Sequence, residues 1–454
     1  MTASETNNIV KVRDDHRPVY FSLTEEGKFQ LCEGKEASWV KQNQAFGLKE
    51  LRNHIEPWLT ALFQSEHLSL LAGSGLTHAV HYLAAEEAAT GMREITLSSY
   101  KDEIKKSAEN AAKKIGRKTG NLEDQIRAAN ELLCGLEILG KYKEAETLGT
   151  ELTSALEVFA KSILQSEARI TQATEANRER AFNTLVTFLM SFASRTGVRD
   201  RLNIFTTNYD RMIEAGAELA GLHLLDRFLG NLMPIFRSSR LDLDMHYNPP
   251  GIRGEPRYLE GVARFTKLHG SVDWVQTDND IRRIGLPFGV DEVGPYLKAP
   301  GLNGASAHKL MIYPNAAKDR ETSDYPYVEL FRDLAAAVCR PNSTLITYGY
   351  SFGDEHINRV IRDMLTIPST HLVVIAYNDP LGRILQTYEK LGRPSQISLM
   401  LGPVLADLQT LTETFLPKAA IDKTTFRMSE LLRQRYGTEP HPPPEGSGES
   451  EWRA

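Results

Sequence analysis

The feature that most constrains this chain is a set of short apolar runs that do not alternate with polar residues. They read "HLSLLAG" (67 to 73), "LNIFTT" (202 to 207), "RFTKLHG" (264 to 270), "KLMIY" (309 to 313), "STLITYGY" (343 to 350) and "HLVVIAYN" (371 to 378), with "ISLMLG" (397 to 402) as a further candidate. A run that is apolar on both sides of the strand is buried on both faces, the condition of a parallel sheet covered by helices. Segments of helical character lie between the runs and complete βαβ units. The predicted fold class is therefore α/β, a doubly wound, mostly parallel, Rossmann-like sheet.

The stretch between the first two runs reads helical. Leu148, Leu152, Leu156, Phe159 and Ile163 form one apolar stripe, and Phe182, Leu185, Leu189 and Phe192 form another. The expected organisation is an N-terminal arm and leading helix (1–64), a first βα unit (65–95) and a large helical insertion (96–200). The remainder of the nucleotide-binding domain (201–415), a C-terminal helix (416–436) and a disordered polar tail (437–454) follow. The segment 228–262, rich in Gly, Pro and Arg, reads as loops and a small lobe over the sheet. "KDEIKKSAENAAKKIGRK" is locally basic; a solvated helix face explains it, and contact with nucleic acid or a partner is the other reading. "GKYKEAETL" looks like one tetratricopeptide unit, but a single copy without a period is not a repeat.

Composition excludes several classes. A net charge of −6 over 454 residues gives no global attraction to nucleic acid or anionic membrane. Cys32, Cys134 and Cys339 are far apart and form neither a disulfide framework nor a cysteine zinc site. No apolar run approaches the roughly 18 residues of a membrane span, and the first 20 residues contain no signal-peptide core. A cytoplasmic protein is expected.

In an open parallel sheet, ligands bind beyond the carboxyl ends of the strands. Here each tip is polar. The first run ends in Ala72, Gly73, Ser74 and Gly75, then a helix whose N-terminal N–H groups suit a phosphate, although such turns are also common as plain structure. The second ends in Thr206, Thr207, Asn208 and Asp210. The third ends in His269 and Gly270, with Asp273 and Trp274 just beyond. Later tips carry Gly349, Tyr350, Ser351 and Asp354, then Asn378 and Asp379. Packing alone does not explain five such ends; a polar nucleotide cleft does. The first turn is neither the full G-x-G-x-x-G pattern nor a Walker loop, and His356 in "GDEHIN" reads as a helix-start residue.

These residues, in this order, resemble the sirtuin NAD-binding fold. "TTNYD", "LHGSVDW" and "GYSFGDEHIN" look more specifically like the bacterial sirtuin-like NAD hydrolases of antiphage defence. Two departures stand out. Three cysteines cannot build the four-cysteine zinc module of sirtuin deacylases, and "GLTHAVHYLAAEE" replaces their Pro-Asp-Phe-Arg segment after the first turn. The resemblance therefore implies NAD as substrate, cleaved to nicotinamide and ADP-ribose through an oxocarbenium-like state, with no metal.

By the same resemblance, Asn208 holds the ribose hydroxyls or the attacking water, and His269 is the general base or proton relay. Asp210 orients the Asn208 loop or stabilises developing positive charge, with a helix N-cap as its plain alternative. Ala72, Gly73, Ser74 and Gly75, with Thr207, Gly349, Tyr350 and Ser351, cradle the cofactor, and Asn378 or Asp379 meets the adenosine end. Lys318 and Tyr325 either cap the cleft or sit in a surface loop. The resemblance further implies a homo-oligomer regulated by a co-encoded partner, first a HerA-type hexameric ATPase, second a short Argonaute-type protein. A non-catalytic NAD or ADP-ribose sensor is the rival from another class. A deacylase fits less well, and a dehydrogenase least.

Overall fold

Every strand of the predicted set that falls in the described region ends at one edge of a ten-stranded sheet. The computed structural model describes residues 8–418 apart from 13–14, 42–43, 90–96, 115–119, 121, 195–198, 239–243, 248–256, 278–279, 300–301 and 303–325, together with residues 428 and 431. The "KLMIY" run, Lys318, Tyr325 and the tail 437–454 lie outside the described residues. Met1–Pro417 form one compact unit, to which everything below belongs; Lys418–Ala454 form a second, in which Met428 and Leu431 are helical.

The strands are β1 (Asn8–Lys11), β2 (Val19–Leu23), β3 (Phe29–Leu31), β4 (His67–Ala72), β5 (Asn203–Thr206), β6 (His223–Leu225), β7 (Val262–Lys267), β8 (Ser343–Tyr348), β9 (His371–Ala376) and β10 (Ile397–Leu401). Their order across the sheet is β3-β2-β1-β10-β9-β8-β4-β5-β7-β6. From β4 to β10 and β6 all pairings are parallel; β1 joins β10 antiparallel, and β2 and β3 continue as a meander. The chain leaves β4 outward through β5 and β7, then returns to β8 on the other side of β4. That reversal is the topological switch point of a doubly wound sheet, where the connections after β4 and β8 run to opposite sides.

Register brings the predicted tips level. Ala72 pairs with Thr206 and with Tyr348, and Thr206 pairs with Lys267. Residues that follow these four positions therefore emerge side by side, although they are far apart in sequence.

Both sheet faces are covered. The helices are α1 (Leu48–Phe63), α2 (Ser74–Ala85), α3 (Lys101–Lys114), α4 (Leu122–Ile138), α5 (Tyr142–Gln172), α6 (Glu175–Ala193), α7 (Met212–Leu219), α8 (Tyr327–Val338), α9 (Glu355–Met364) and α10 (Arg383–Leu391). Leu68, Leu70, Ile204 and Ile346 face a core shared with α1, α2, α6 and α7. Leu71, Phe205, Leu345 and Leu372 face the other, shared with α5, α8 and α9. Successive strand residues thus enter opposite cores, which is why the runs are apolar throughout. Helix α6 is a layer of the sheet itself: Phe188 and Leu189 are fully buried, and the Phe188 ring lies 5.1 Å from that of Tyr348.

The small lobe contains a four-stranded antiparallel sheet in the order 274–276, 281–283, 235–236, 228–229. Phe228, Phe236 and Trp274 form its aromatic centre. Among the described residues, no helix is long and apolar enough to cross a membrane.

Candidate active site

At the switch point the backbones of two strand ends touch. Gly73 N–H donates to Tyr348 O at 2.9 Å, and Gly75 N–H to Gly349 O at 3.1 Å. A methyl group at Gly75 would lie 2.5 Å from the Gly349 Cα, and one at Gly349 would lie 2.5 Å from the Gly75 Cα. Gly349 also has φ +61°, a region that costs a side chain free energy. Gly349→Ala is therefore expected to destabilise the protein by about 2–4 kcal/mol, from overpacking plus strain. Urea unfolding is the check; a melt within error of wild type would refute the close approach.

Helix α2 begins at this turn with Gly73 as its N-cap and no acidic residue in its first turn. No acidic residue of its own first turn opposes its positive end, and its first residue, Ser74, is exposed, an arrangement suited to an anionic group. Ser351 is exposed on the facing loop, where Phe352 is held at φ +54° while its ring is buried. A bulky residue in that region marks an over-determined backbone.

Asn208 is buried at the end of β5. Its amide nitrogen donates to Gly73 O and to Thr77 Oγ1, both at 2.9 Å. Thr77 Oγ1 donates in turn to Asp210 Oδ2 at 2.5 Å, and Asp210 Oδ1 accepts the N–H of Met212, the first residue of α7, at 3.1 Å. Asn208 N–H is held by Thr206 Oγ1 at 3.1 Å, which itself donates to Ala72 O at 2.9 Å. With the amide nitrogen committed, Oδ1 is the polar atom that Asn208 presents; among the described residues none donates to it. Asp210 both orients this loop and meets the start of α7. Thr207 N–H reaches Ala72 O at 3.4 Å, so Thr207 belongs to the same turn.

His269 is buried after β7, with the ring centroids of Tyr209 and Phe331 6.4 and 6.5 Å from its own. Its Nε2 meets Asp354 Oδ2 at 2.8 Å. Asp354 Oδ1 accepts the N–H of His356 at 3.0 Å and so caps α9. A carboxylate accepting from Nε2–H leaves Nδ1 as the basic nitrogen of the neutral ring. The geometry makes a histidine–carboxylate dyad. The spacing alone placed Asp354 at a strand tip without assigning it a partner; its neighbour His356 starts α9, as expected.

Two of the proposed binding residues act differently in detail. Tyr350 is buried, and its hydroxyl donates to Asp354 O and Asn358 Oδ1, each at 3.2 Å. Its hydroxyl therefore points to the Asp354 main chain and α9, and burial pushes its pKa well up. Asn378 is exposed on the rim beyond β9, while Asp379 Oδ2 accepts the N–H groups of Ile384 and Leu385 at 3.0 and 3.1 Å and caps α10.

Behind the Asn208 loop lies a buried charge cluster. Lys267 Nζ donates to Asp210 O and to Glu214 Oε1, the latter at 2.9 Å. A cavity of about 400 Å³ opens alongside, lined by Arg211, Glu214, Asp273, Arg283 and Phe288 among others. Burial lifts the Glu214 pKa from its ordinary 4.5 to about 7, with Lys267 opposing and Asp273 reinforcing the shift. A pKa raised on folding stabilises fully below the unfolded value and is lost as pH rises through the folded one. Glu214→Gln is thus expected to flatten the stability profile between pH 4.5 and 7, removing a decline on the order of 1–3 kcal/mol. Thermal melts across that range check it, and equal slopes for both proteins would refute it.

Among the described residues, no group of three His, Cys, Asp or Glu is placed to hold a metal ion.

A doubly wound sheet whose polar strand ends converge on a glycine-lined switch point has the Rossmann-like architecture. Residues 202–393 match the family model described as SIR2-like domain, which supports a sirtuin-like family and an NAD-related function for this chain. The matched stretch includes Asn208, His269, Asp354 and Asn378; the first turn, 72–75, lies outside it. No curated protein matches the chain.

Proposed function

We propose that the chain is an NAD glycohydrolase that releases nicotinamide and ADP-ribose. The observation that carries this reading is the pairing, at level strand ends, of a fixed Asn208 amide with the His269–Asp354 dyad. In the reaction the ribose C1′–N bond breaks, its electron pair passes to the pyridinium nitrogen, and neutral nicotinamide leaves. The ribose carbon becomes oxocarbenium-like and a water adds to it. Asn208 Oδ1 accepts from a ribose hydroxyl or from that water. His269 takes the water's proton, and the Asp354 carboxylate stabilises the imidazolium so formed. The α2 N-terminus, Gly73, Ser74, Gly75 and Ser351 receive the pyrophosphate. Asn378 stands on the rim where the adenosine end emerges. NAD is consumed as substrate, and no step calls on a metal.

The resemblance to antiphage NAD hydrolases extends the proposal to a cofactor-depleting effector of abortive infection. Such an activity harms its own cell, so it is held inactive until assembly. The partner proposed first is a HerA-type hexameric ATPase and second a short Argonaute-type protein, acting on a homo-oligomer. The test is nicotinamide release from NAD by the purified chain, alone and with the co-encoded partner. Release in either condition supports the hydrolase, and release only with the partner identifies assembly as the switch. NAD binding without release in both would replace the enzyme with a sensor.

A further inference from the structure

The Asn208 loop is gripped from a direction the chemistry does not require. Helix α5, 31 residues long, belongs to the insertion, yet Glu167 near its end is fully buried against the loop. Glu167 Oε1 accepts the backbone N–H of Arg211 at 2.8 Å and Arg211 Nε at 3.3 Å, and Oε2 accepts Nη2 at 2.5 Å. The rest of the guanidinium is engaged as well: Nη1 donates to Leu286 O at 2.5 Å and Nη2 to Pro287 O at 3.3 Å. The Phe288 ring lies 5.8 Å from its centre. Arg211 therefore has its donors inside the protein, and Glu167 both of its oxygens.

We propose that Glu167, acting through Arg211, is a positioning residue for the Asn208–Asp210 segment, which makes the insertion helix α5 part of the active-site scaffold. The inference rests on the reading that this segment faces the substrate. An ion pair buried for stability alone has no advantage over apolar side chains of the same volume. What an apolar pair cannot do is accept the Arg211 main-chain N–H at the entry to α7. That amide is one residue from Asp210, whose carboxylate holds Thr77 and through it the Asn208 amide. Releasing it frees the loop to shift by the fraction of an ångström to which positioned groups are sensitive.

The test is the double variant Glu167→Leu/Arg211→Met in the full chain. It removes both charges while keeping apolar bulk, so it is expected to fold, with a modest loss of stability from the Arg211 main-chain N–H left without its acceptor. A positioning role predicts kcat lower by about 10- to 100-fold with KM for NAD within about twofold. It also predicts faster hydrogen exchange in a peptide covering 206–212 and unchanged exchange in 262–267. Wild-type kcat and exchange in a stable double variant would overturn the proposal. Should the double variant fail to fold, the milder Glu167→Met/Arg211→Gln, which also leaves the Arg211 main-chain N–H without its acceptor but keeps a donor near Leu286 O and Pro287 O, is read by the same two measurements with the same consequences. The exchange readout needs no turnover. A wild-type chain that binds NAD without cleaving it would sink the hydrolase reading while leaving this inference to stand or fall on exchange alone.

Discussion

Asn208→Ala is expected to lower nicotinamide release about 10²- to 10³-fold, the usual consequence of deleting one preorganised polar group at a reacting centre. The structural cost is separable. Alanine removes the donors to Gly73 O and Thr77 Oγ1, and each lost bond costs roughly 0.5–1.5 kcal/mol, more if the acceptor stays buried. The variant is therefore expected to fold with a modest loss of stability that far undershoots the loss of rate. Asn208→Asp sharpens the comparison, because it keeps the shape and an acceptor but loses the donor that locks the side chain to the turn. It also brings a second carboxylate to the Thr77 hydroxyl already held by Asp210. Its rate is expected near that of alanine, since an acceptor that is not fixed in place does little. Nicotinamide quantified over time, beside urea melts of the same preparations, decides it. A variant that keeps half the wild-type rate would remove Asn208 from the chemistry.

The strand ends were legible because the physics there is local. Apolar runs buried on both faces stop at the sheet edge, and the first residues past the edge are free to be polar. Asn208 and His269 follow directly from that rule, as does the fold class. The partners were not legible, because they depend on contacts between distant parts of the chain. Asp354 meets His269 across 85 residues, and Asn208 meets Thr77 across 131. Glu167 reaches Arg211 across 44 residues, and nothing in an amphipathic stripe says that one polar position in it turns inward. Tyr350 shows the converse error of reading a tip from its letters. An aromatic one residue past a glycine looks available to a ligand, yet its hydroxyl is turned back to hold Asp354. The meander β1–β3 escaped for another reason: its strands run three to five residues, too short for a period to register. The glycines were readable as a turn, but their contact with Gly349 belongs to the switch point and appears only once the strand order is known.

Asp354→Asn is expected to lower kcat on the order of 10²-fold or more with little change in KM or melting temperature. The residue does two jobs with two oxygens. Oδ1 caps α9 through the His356 N–H, and Oδ2 receives His269 Nε2. Asparagine caps helices about as well as aspartate, so α9 and the fold are retained. It cannot keep a negative charge beside the imidazole, and its amide can present N–H where the carboxylate presented a lone pair. The ring then either loses its partner or adopts the other tautomer, with the proton on Nδ1 where the base is needed. Asp354→Ala removes both functions and is expected to add the cost of a lost cap, about 1 kcal/mol, to the same loss of rate. The pair of variants therefore divides catalysis from architecture. A normal rate in Asp354→Asn with a slow, unstable Asp354→Ala would reduce Asp354 to a helix cap and leave His269 to act alone. Equal loss of rate in both, with stability lost only in the alanine variant, is the signature of a carboxylate that orients its histidine for proton transfer.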